Sequence, residues 1–367
     1  MEFKKEYFAD ERQDAFHEIG VTRQRADALG HVSGRTQFYN DRNLAGMLHM
    51  KMARSPHHHA RIRSINTAEA ERVPGVVRII RAEDVPENVS TILRLLDVGP
   101  LDEPVLAFDK VRYVGEPIVA VLGTSISAAA QGAAKVEVDY ETLPAVFDVE
   151  EALRPGAPLV NEYHGQNYFD YSGYDHQKVR LGDVERAFQE ADHVIEERYQ
   201  MSPIEHAPVE TGGCIAVPDT DGRYTCYTST QALFFSLENV ALILQMPVNK
   251  LHFVGGTVGG GFGGKNDTVV EPLAILGSVL TNKPVRFAFT RAEEMQVSSP
   301  RGAERFYVKD GIMDDGRIIA RQVRLYFDAG AYSRLSPYGV VKCAAHMPGP
   351  YTIPNVSING YCVYTNR

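Results

Sequence analysis

From about Leu44 onward, short apolar runs alternate with polar turns at spacings that predict strands and short helices in mixed order. The stretch "GMLHMKMARS" (46–55) alternates like a strand, and "VVRIIRAEDV" (76–85) reads as a strand followed by a turn. "VRYVGEPIVAVLG" (111–123) predicts two short strands around a Gly-Glu-Pro turn. "SISAAAQGAAKVEVDY" (125–140) predicts an alanine-rich helix running into a strand, and these elements end near "YETLPAVFD" (140–148). Residues 150–175 are rich in Pro, Gly, Asn and Tyr, the composition of a linker or irregular surface crossing. Beyond them, "GDVERAFQEADHVIEERYQ" (182–200) predicts an amphipathic helix that continues as a strand. Strands are expected at 213–217 and 223–229, a helix at 231–244, and a strand at 250–256. An apolar helix at 268–282 and strands near 285–289, 304–309 and 318–328 follow. No repeat or low-complexity tract interrupts the pattern. The expectation is an α+β chain with a charged extension (1–20), a first domain (21–150), a linker (151–175) and a second domain (176–367).

A length of 367 residues agrees with two domains. With 44% hydrophobic and 23% charged residues, the chain can bury a core. The net charge of −9 disfavours loose binding to nucleic acid or an anionic membrane. No apolar run reaches the ~18–20 residues needed to span a bilayer. The N-terminal "MEFKKEYFADERQDAF" is too polar for a secretory signal, so a cytoplasmic location is expected. Cys214, Cys226, Cys343 and Cys362 form no C-x-x-C pair and no tight Cys/His spacing. They read as buried or semi-buried thiols rather than ligands of zinc or an iron–sulfur cluster.

The strongest candidate for chemistry is "GGTVGGGFGGKND" (255–267), a glycine-rich loop between an expected strand and helix. Glycines let a backbone approach a ligand closely and adopt positive φ, and a tight turn alone needs only one or two. Gly259, Gly261 and Gly264 satisfy G-x-G-x-x-G, but any run this rich in glycine does so, and no strand with an acidic end follows. Gly259, Gly264 and Lys265 fit a P-loop, yet Asn266 stands where a magnesium-binding Ser or Thr belongs. Neither reading explains the phenylalanine at 262.

A third reading does. "GGGFGGK" resembles the molybdenum-cofactor subunit of the xanthine dehydrogenase/aldehyde oxidase family. In that family the loop's phenylalanine lies beside the metal and the surrounding backbone contacts its oxo ligand. Other stretches resemble the family in the same order: "RSPHHHARI", "VRYVGEPIVAVL" and "VEVDYETLPAVFD" in its α/β-hammerhead domain, then "IEHAPVETGGCIA" (204–216), "TSTQALFFS" (228–236), "FDAGAYS" (327–333) and "HMPGPYTIPN" (346–355). The fold implied is α+β: a hammerhead domain followed by the first half of a molybdenum-cofactor-binding domain.

The resemblance assigns roles residue by residue. Gln231 matches the glutamine near the metal's outer ligand, where a neutral amide orients an oxo group without adding charge. Gly260, Gly261, Phe262 and Gly263 match the loop at the cofactor. With Gln231, Phe262 is expected to contact the ligands of the metal rather than the metal itself, and the two are the catalytic candidates. Asn266 falls where purine-oxidising members carry a glutamate, and Lys342 where they carry an arginine. Both departures make a purine less expected, with neighbouring Asp267 as a stand-in for the carboxylate. His206 and Glu210 in "EHAPVE" are spaced like a helical metal pair, but Pro203 and Pro208 argue for a structural loop. His57, His58 and His59 are read as structural or surface residues.

The family continues beyond this segment into a second cofactor domain that carries the general base and most dinucleotide contacts. The resemblance therefore implies one subunit of a split molybdenum hydroxylase, or else a truncated product of a longer one. Its cofactor would be molybdenum-molybdopterin, in the cytosine dinucleotide form. The partners would be a second molybdopterin-binding subunit and subunits carrying iron–sulfur clusters and FAD. The expected substrate is an N-heteroaromatic, an aldehyde or an aromatic thioester. The alternatives are a nucleotide-binding protein using the glycine loop, and a non-catalytic remnant of the fold.

Overall fold

The computed structural model describes residues 22–89, 101–267 and 270–367. The expected extension over 1–20 and the first two residues of the expected helix at 268–282 lie outside the described residues. Residues up to Gln37 form a unit of their own, whose described part holds the short helix Ala28–Val32. The unit from Phe38 to Arg367 carries all that follows.

Among the described residues, fifteen strands form three sheets. In chain order they are β1 (Leu48–Arg54), β2 (Ala60–Asn66), β3 (Val76–Ile80), β4 (Lys110–Val111), β5 (Pro117–Gly123), β6 (Glu137–Thr142), β7 (Gln177–Leu181), β8 (His193–Met201), β9 (Gly213–Pro218), β10 (Tyr224–Thr228), β11 (Leu251–Gly255), β12 (Val285–Ala288), β13 (Glu304–Ile312), β14 (Ile318–Gly330) and β15 (Asn355–Tyr364).

The largest sheet has the order β11-β10-β9-β12-β1-β5-β3. β5 reads "PIVAVLG" without a polar break because it is a central strand buried on both faces. β1 alternates, with Leu48, Met50 and Met52 turned into the core. β1 lies antiparallel to β5 and parallel to β12, with Leu48 opposite Val285. The sheet thus draws strands from both sides of the 151–175 stretch. The buried helix Glu271–Thr281 covers it. Gly277 brings that helix close: a Cβ there would lie 3.1 Å from Leu122 Cδ1 and 3.2 Å from Met50 Cε. One apolar core, including Leu48, Met50, Leu122, Leu273, Ile275 and Phe287, fills the space between.

The second sheet, β7-β15-β14-β13-β8, packs the helix Ser336–His346 through Phe306, Leu325, Ile358 and Ala344. The third, β4-β2-β6, is small and antiparallel. The expected strands at 46–55, 213–217 and 223–229, the strand and turn at 76–85, and the helix–strand pairs at 125–140 and 182–200 are all present. Ser125 and Asp183 cap the two helices by accepting from the N–H groups of Ala128 and Arg186.

The Gly-Glu-Pro turn locks the parts together. Gly115 has φ +98°, a conformation open to glycine. Glu116, 2% exposed, accepts from the Arg112 N–H at 2.5 Å and from the Tyr332 hydroxyl. Burial pushes its carboxyl up to about 7. Cys214, Cys226 and Cys362 are buried and Cys343 half-buried, all as free thiols.

Candidate functional site

β10 and β11 run parallel and end together, with Thr228 opposite Gly255. The chain leaves β10 through Ser229, Thr230 and Gln231 into the helix Leu233–Ile243. It leaves β11 into the glycine loop. Two adjacent strand ends therefore place Gln231 against residues 259–265. The Gln231 N–H donates to the Lys265 carbonyl at 2.9 Å. Its side-chain Oε1 accepts from the N–H groups of Gly263 at 3.0 Å and Lys265 at 3.3 Å. Two donors at one atom fix the amide's orientation. Its Nε2 donates to nothing among the described residues.

The loop's glycines divide into two kinds. Gly260 (φ +100°) and Gly263 (φ +90°) supply left-handed backbone. Gly261, Gly259 and Gly264 instead admit a neighbour. A Cβ at 261 would lie 2.3 Å from Gln231 Cδ, at 259 2.4 Å from Glu210 Cβ, and at 264 2.8 Å from His206 Nδ1. Phe262 is held at φ +53° and is 72% exposed. A large apolar ring kept both strained and exposed is no core residue. Among the described residues, the N–H groups of Gly260, Gly261 and Phe262 find no acceptor. Two buried atoms beside the loop, Glu210 Oε1 and His206 Nδ1, are also unpaired.

Lys265 overturns the P-loop alternative. Its side chain is buried, and its ammonium spends its three donors on Glu210 O (2.8 Å), Glu210 Oε2 (3.1 Å) and Ser229 Oγ (2.8 Å). The helix after the loop begins at Glu271, whose own carboxylate accepts from the Val270 N–H at 3.2 Å and from Thr228 Oγ1 at 2.7 Å. An acidic residue already answers that helix N-terminus, where a phosphate would sit in a P-loop.

Asn266 is half-buried just past the loop. Asp267 cannot stand in for a free carboxylate. It accepts from Ser299 Oγ at 2.6 Å and from Arg334 Nη1 at 3.3 Å, and Arg334 also pairs with Glu103. Lys342 sits on the exposed side of the helix Ser336–His346, its Nζ 4.5 Å from the Tyr338 ring centre. No contact among the described residues joins it to the loop. His206 and Glu210 lie in a loop that includes Pro208, with Ala207 at positive φ, and not on a helix. His59 is buried with Nδ1 against the Pro144 carbonyl, and His58 Nδ1 lies 3.0 Å from the Asn366 carbonyl. Among the described residues no His/Cys/Asp/Glu group is arranged to hold a metal ion.

A profile of the molybdopterin cofactor-binding domain matches residues 162–367, and one of the aldehyde oxidase and xanthine dehydrogenase a/b hammerhead domain matches 33–144. The chain belongs to the aldehyde oxidase and xanthine dehydrogenase family. It is 31% identical to the nicotinate dehydrogenase large molybdopterin subunit of Eubacterium barkeri, over 95% of this chain and 79% of that one. It is 34% identical to a probable xanthine dehydrogenase subunit from Bacillus subtilis, over 94% of this chain and 45% of that protein. Among solved structures, the aldehyde oxidoreductase from Desulfovibrio gigas superposes with a TM-score of 0.88 at 27% identity, over 95% of this chain and 39% of that chain. Quinoline 2-oxidoreductase from Pseudomonas putida superposes at 0.85 and 28%, over 95% and 44%. The chain thus spans less than half the length of several family members and most of the Eubacterium subunit. The expected fold, a hammerhead domain followed by a molybdenum-cofactor-binding domain, is the family's fold in this chain.

Proposed function

We propose that Gln231 and the loop Gly260–Gly263 are this chain's share of the molybdenum-cofactor site of a multi-subunit hydroxylase. The observation that carries the reading is the row of unanswered N–H groups at Gly260, Gly261 and Phe262 beside the free Gln231 amide nitrogen. Consecutive backbone donors in left-handed turns form a concave seat for oxygen or an anion. An oxo-bearing cofactor has the acceptors those donors lack, and the missing side chains of the glycines leave room for it. When bound, the cofactor would supply Lewis-acid and two-electron redox chemistry at this site. The chain's own contribution is orientation. With Oε1 held by the loop, Gln231 would be left to donate from Nε2 toward an oxygen of the bound group without adding charge. The exposed Phe262 ring keeps water away from that side.

A second molybdopterin-binding polypeptide would supply the base and most contacts to the dinucleotide, for which we propose the cytosine form. Subunits with iron–sulfur clusters and FAD would carry the electrons onward. The cytoplasm is the proposed location, in keeping with the free thiols. No helix among the described residues is long and apolar enough to cross a membrane.

The substrate we propose is an N-heteroaromatic acid, with aldehydes or aromatic thioesters as the next classes. Relatives named for nicotinate, quinoline and aldehydes support this range. Asn266 offers no carboxylate, and Asp267 is committed to Arg334. A purine that needs an anionic acceptor would leave its groups unpaired. Lys342 is the proposed cation for the substrate's carboxylate. In the assembled enzyme, kcat/KM for nicotinate is expected to exceed that for xanthine at least about ten-fold. Lys342→Ala should reduce the nicotinate value selectively. Efficient xanthine oxidation, untouched by Lys342→Ala, contradicts both assignments.

A further inference from the structure

The glycine loop is tied at both ends to one buried ion pair. At the first end, Glu210 and Gly259 pair in both directions. The Glu210 N–H donates to the Gly259 carbonyl at 3.0 Å, and the Gly259 N–H donates to Glu210 Oε2 at 2.7 Å. At the other end, Lys265 donates from Nζ to the same Oε2 at 3.1 Å and to the Glu210 carbonyl at 2.8 Å. Ser229 bridges the two, donating to Glu210 Oε2 at 2.6 Å while its Oγ accepts from Lys265 Nζ at 2.8 Å. Both side chains are almost dry, 5% exposed for Lys265 and 10% for Glu210. Lys265 also holds Gln231 through its backbone. Its N–H donates to Gln231 Oε1 at 3.3 Å, and its carbonyl accepts from Gln231 N and Thr230 Oγ1.

Stability alone does not account for such a pair. Removing a lysine and a glutamate from water is costly, and apolar residues of similar volume often serve folding equally well. What an apolar pair cannot do is place Oε2, the Nζ donors and the Lys265 peptide in fixed register. That register sets the distance between residues 259 and 265, and with it the path of Phe262. It also sets which atom of the Gln231 amide is left free. We propose that the Lys265–Glu210 pair is a positioning device that fixes the path of loop 259–265 and points the Gln231 amide nitrogen outward. The inference rests on the cofactor reading above for its catalytic consequence, but its geometric half stands without it.

The test is Lys265→Met/Glu210→Met, which removes both charges together and avoids an orphaned one. In the isolated 367-residue chain, amide exchange at Gly263, Gly264 and Lys265, whose N–H groups are bonded to Gln231 and within the loop, is expected to quicken about ten-fold or more, while the strands β9, β10 and β12 exchange as in the wild type. In the assembled enzyme, kcat should fall about a hundred-fold with KM changed less than about two-fold. The paramagnetic resonance signal of the molybdenum should shift while metal content is retained. Unchanged loop exchange overturns the proposal. So does faster exchange with unchanged kcat and an unchanged signal, because the pair would then hold the loop without positioning anything. If the double variant does not fold, Ser229→Ala removes only the bridging hydroxyl. It should move the same readouts in the same direction by about three-fold, and no change in loop exchange again overturns the proposal. A wild-type assembly without molybdenum would defeat the cofactor reading instead, and leaves the exchange comparison to judge the geometry.

Discussion

Valine in place of Gly261 is expected to strip molybdenum from the assembled enzyme while leaving the chain folded. A Cβ at 261 would sit 2.3 Å from Gln231 Cδ and 2.4 Å from its Oε1, so either the amide or the loop must move. Oε1 is the acceptor for the Gly263 and Lys265 N–H groups, and its displacement leaves two donors unanswered. Each lost bond costs about 0.5–1.5 kcal/mol. The apolar core lies under the sheet, away from the exposed face of the loop, so the melting temperature should fall by only a few degrees. The cofactor, however, loses both its seat and its room. Metal analysis of the purified complex should find less than about a tenth of the wild-type molybdenum per chain. Full metal content with full activity would place the loop away from the metal.

Gln231→Ala is expected to lower kcat about ten- to a hundred-fold, the equivalent of about 1–3 kcal/mol for a hydrogen-bond donor at a reacting centre. Alanine also frees the Gly263 and Lys265 N–H groups, so this variant mixes loss of donation with a slackened loop. Gln231→Glu separates the two. A carboxylate can still accept from both N–H groups but has no hydrogen to give, and it adds a negative charge beside an electron-rich ligand. Its loop amides should exchange as in the wild type, yet its turnover should be no better than that of the alanine variant. Wild-type turnover in Gln231→Glu would show that the amide acts only by holding the loop.

Much of the order from β1 to β14 is readable because apolar positions keep a period of two or alternate with capped helices, as in β1 and in the segment after Ser125, but β2, β7 and the helices Arg291–Val297 and Ser336–His346 stand outside the expected elements. β15 escapes that reading although "NVSINGYCVY" carries the right alternation, with Val356, Ile358, Gly360 and Cys362 turned inward. Its interleaved Asn, Ser and Gly weaken the strand signal. No local pattern announces that β1 lies beside β12, a pairing of Leu48 with the distant Val285 that is set by packing of the whole sheet. At the site, the glycine loop and Gln231 are legible from residue type and order. The partition of the glycines is not. Gly261 invites a positive φ on paper, but it is Gly260, Phe262 and Gly263 that take it, while Gly261 makes way for Gln231. Lys265 is the most misleading residue. Its place in G-x-x-x-x-G-K suggests a phosphate ligand, and only the fold shows Glu210 and Ser229 meeting its ammonium. Asp267 is similar: its proximity to Asn266 in sequence says nothing of Arg334, which claims it from 67 residues away.

Molybdenum held jointly by this chain and a second polypeptide is what we propose. The direct measurement is molybdenum per chain, by elemental analysis, in the natively assembled complex and in the 367-residue chain purified alone. About one molybdenum atom per chain is expected in the complex, and little in the isolated chain, whose own loop offers donors but no metal ligands. A complex that turns over its substrate without molybdenum, or an isolated chain that carries it stoichiometrically, would contradict the account.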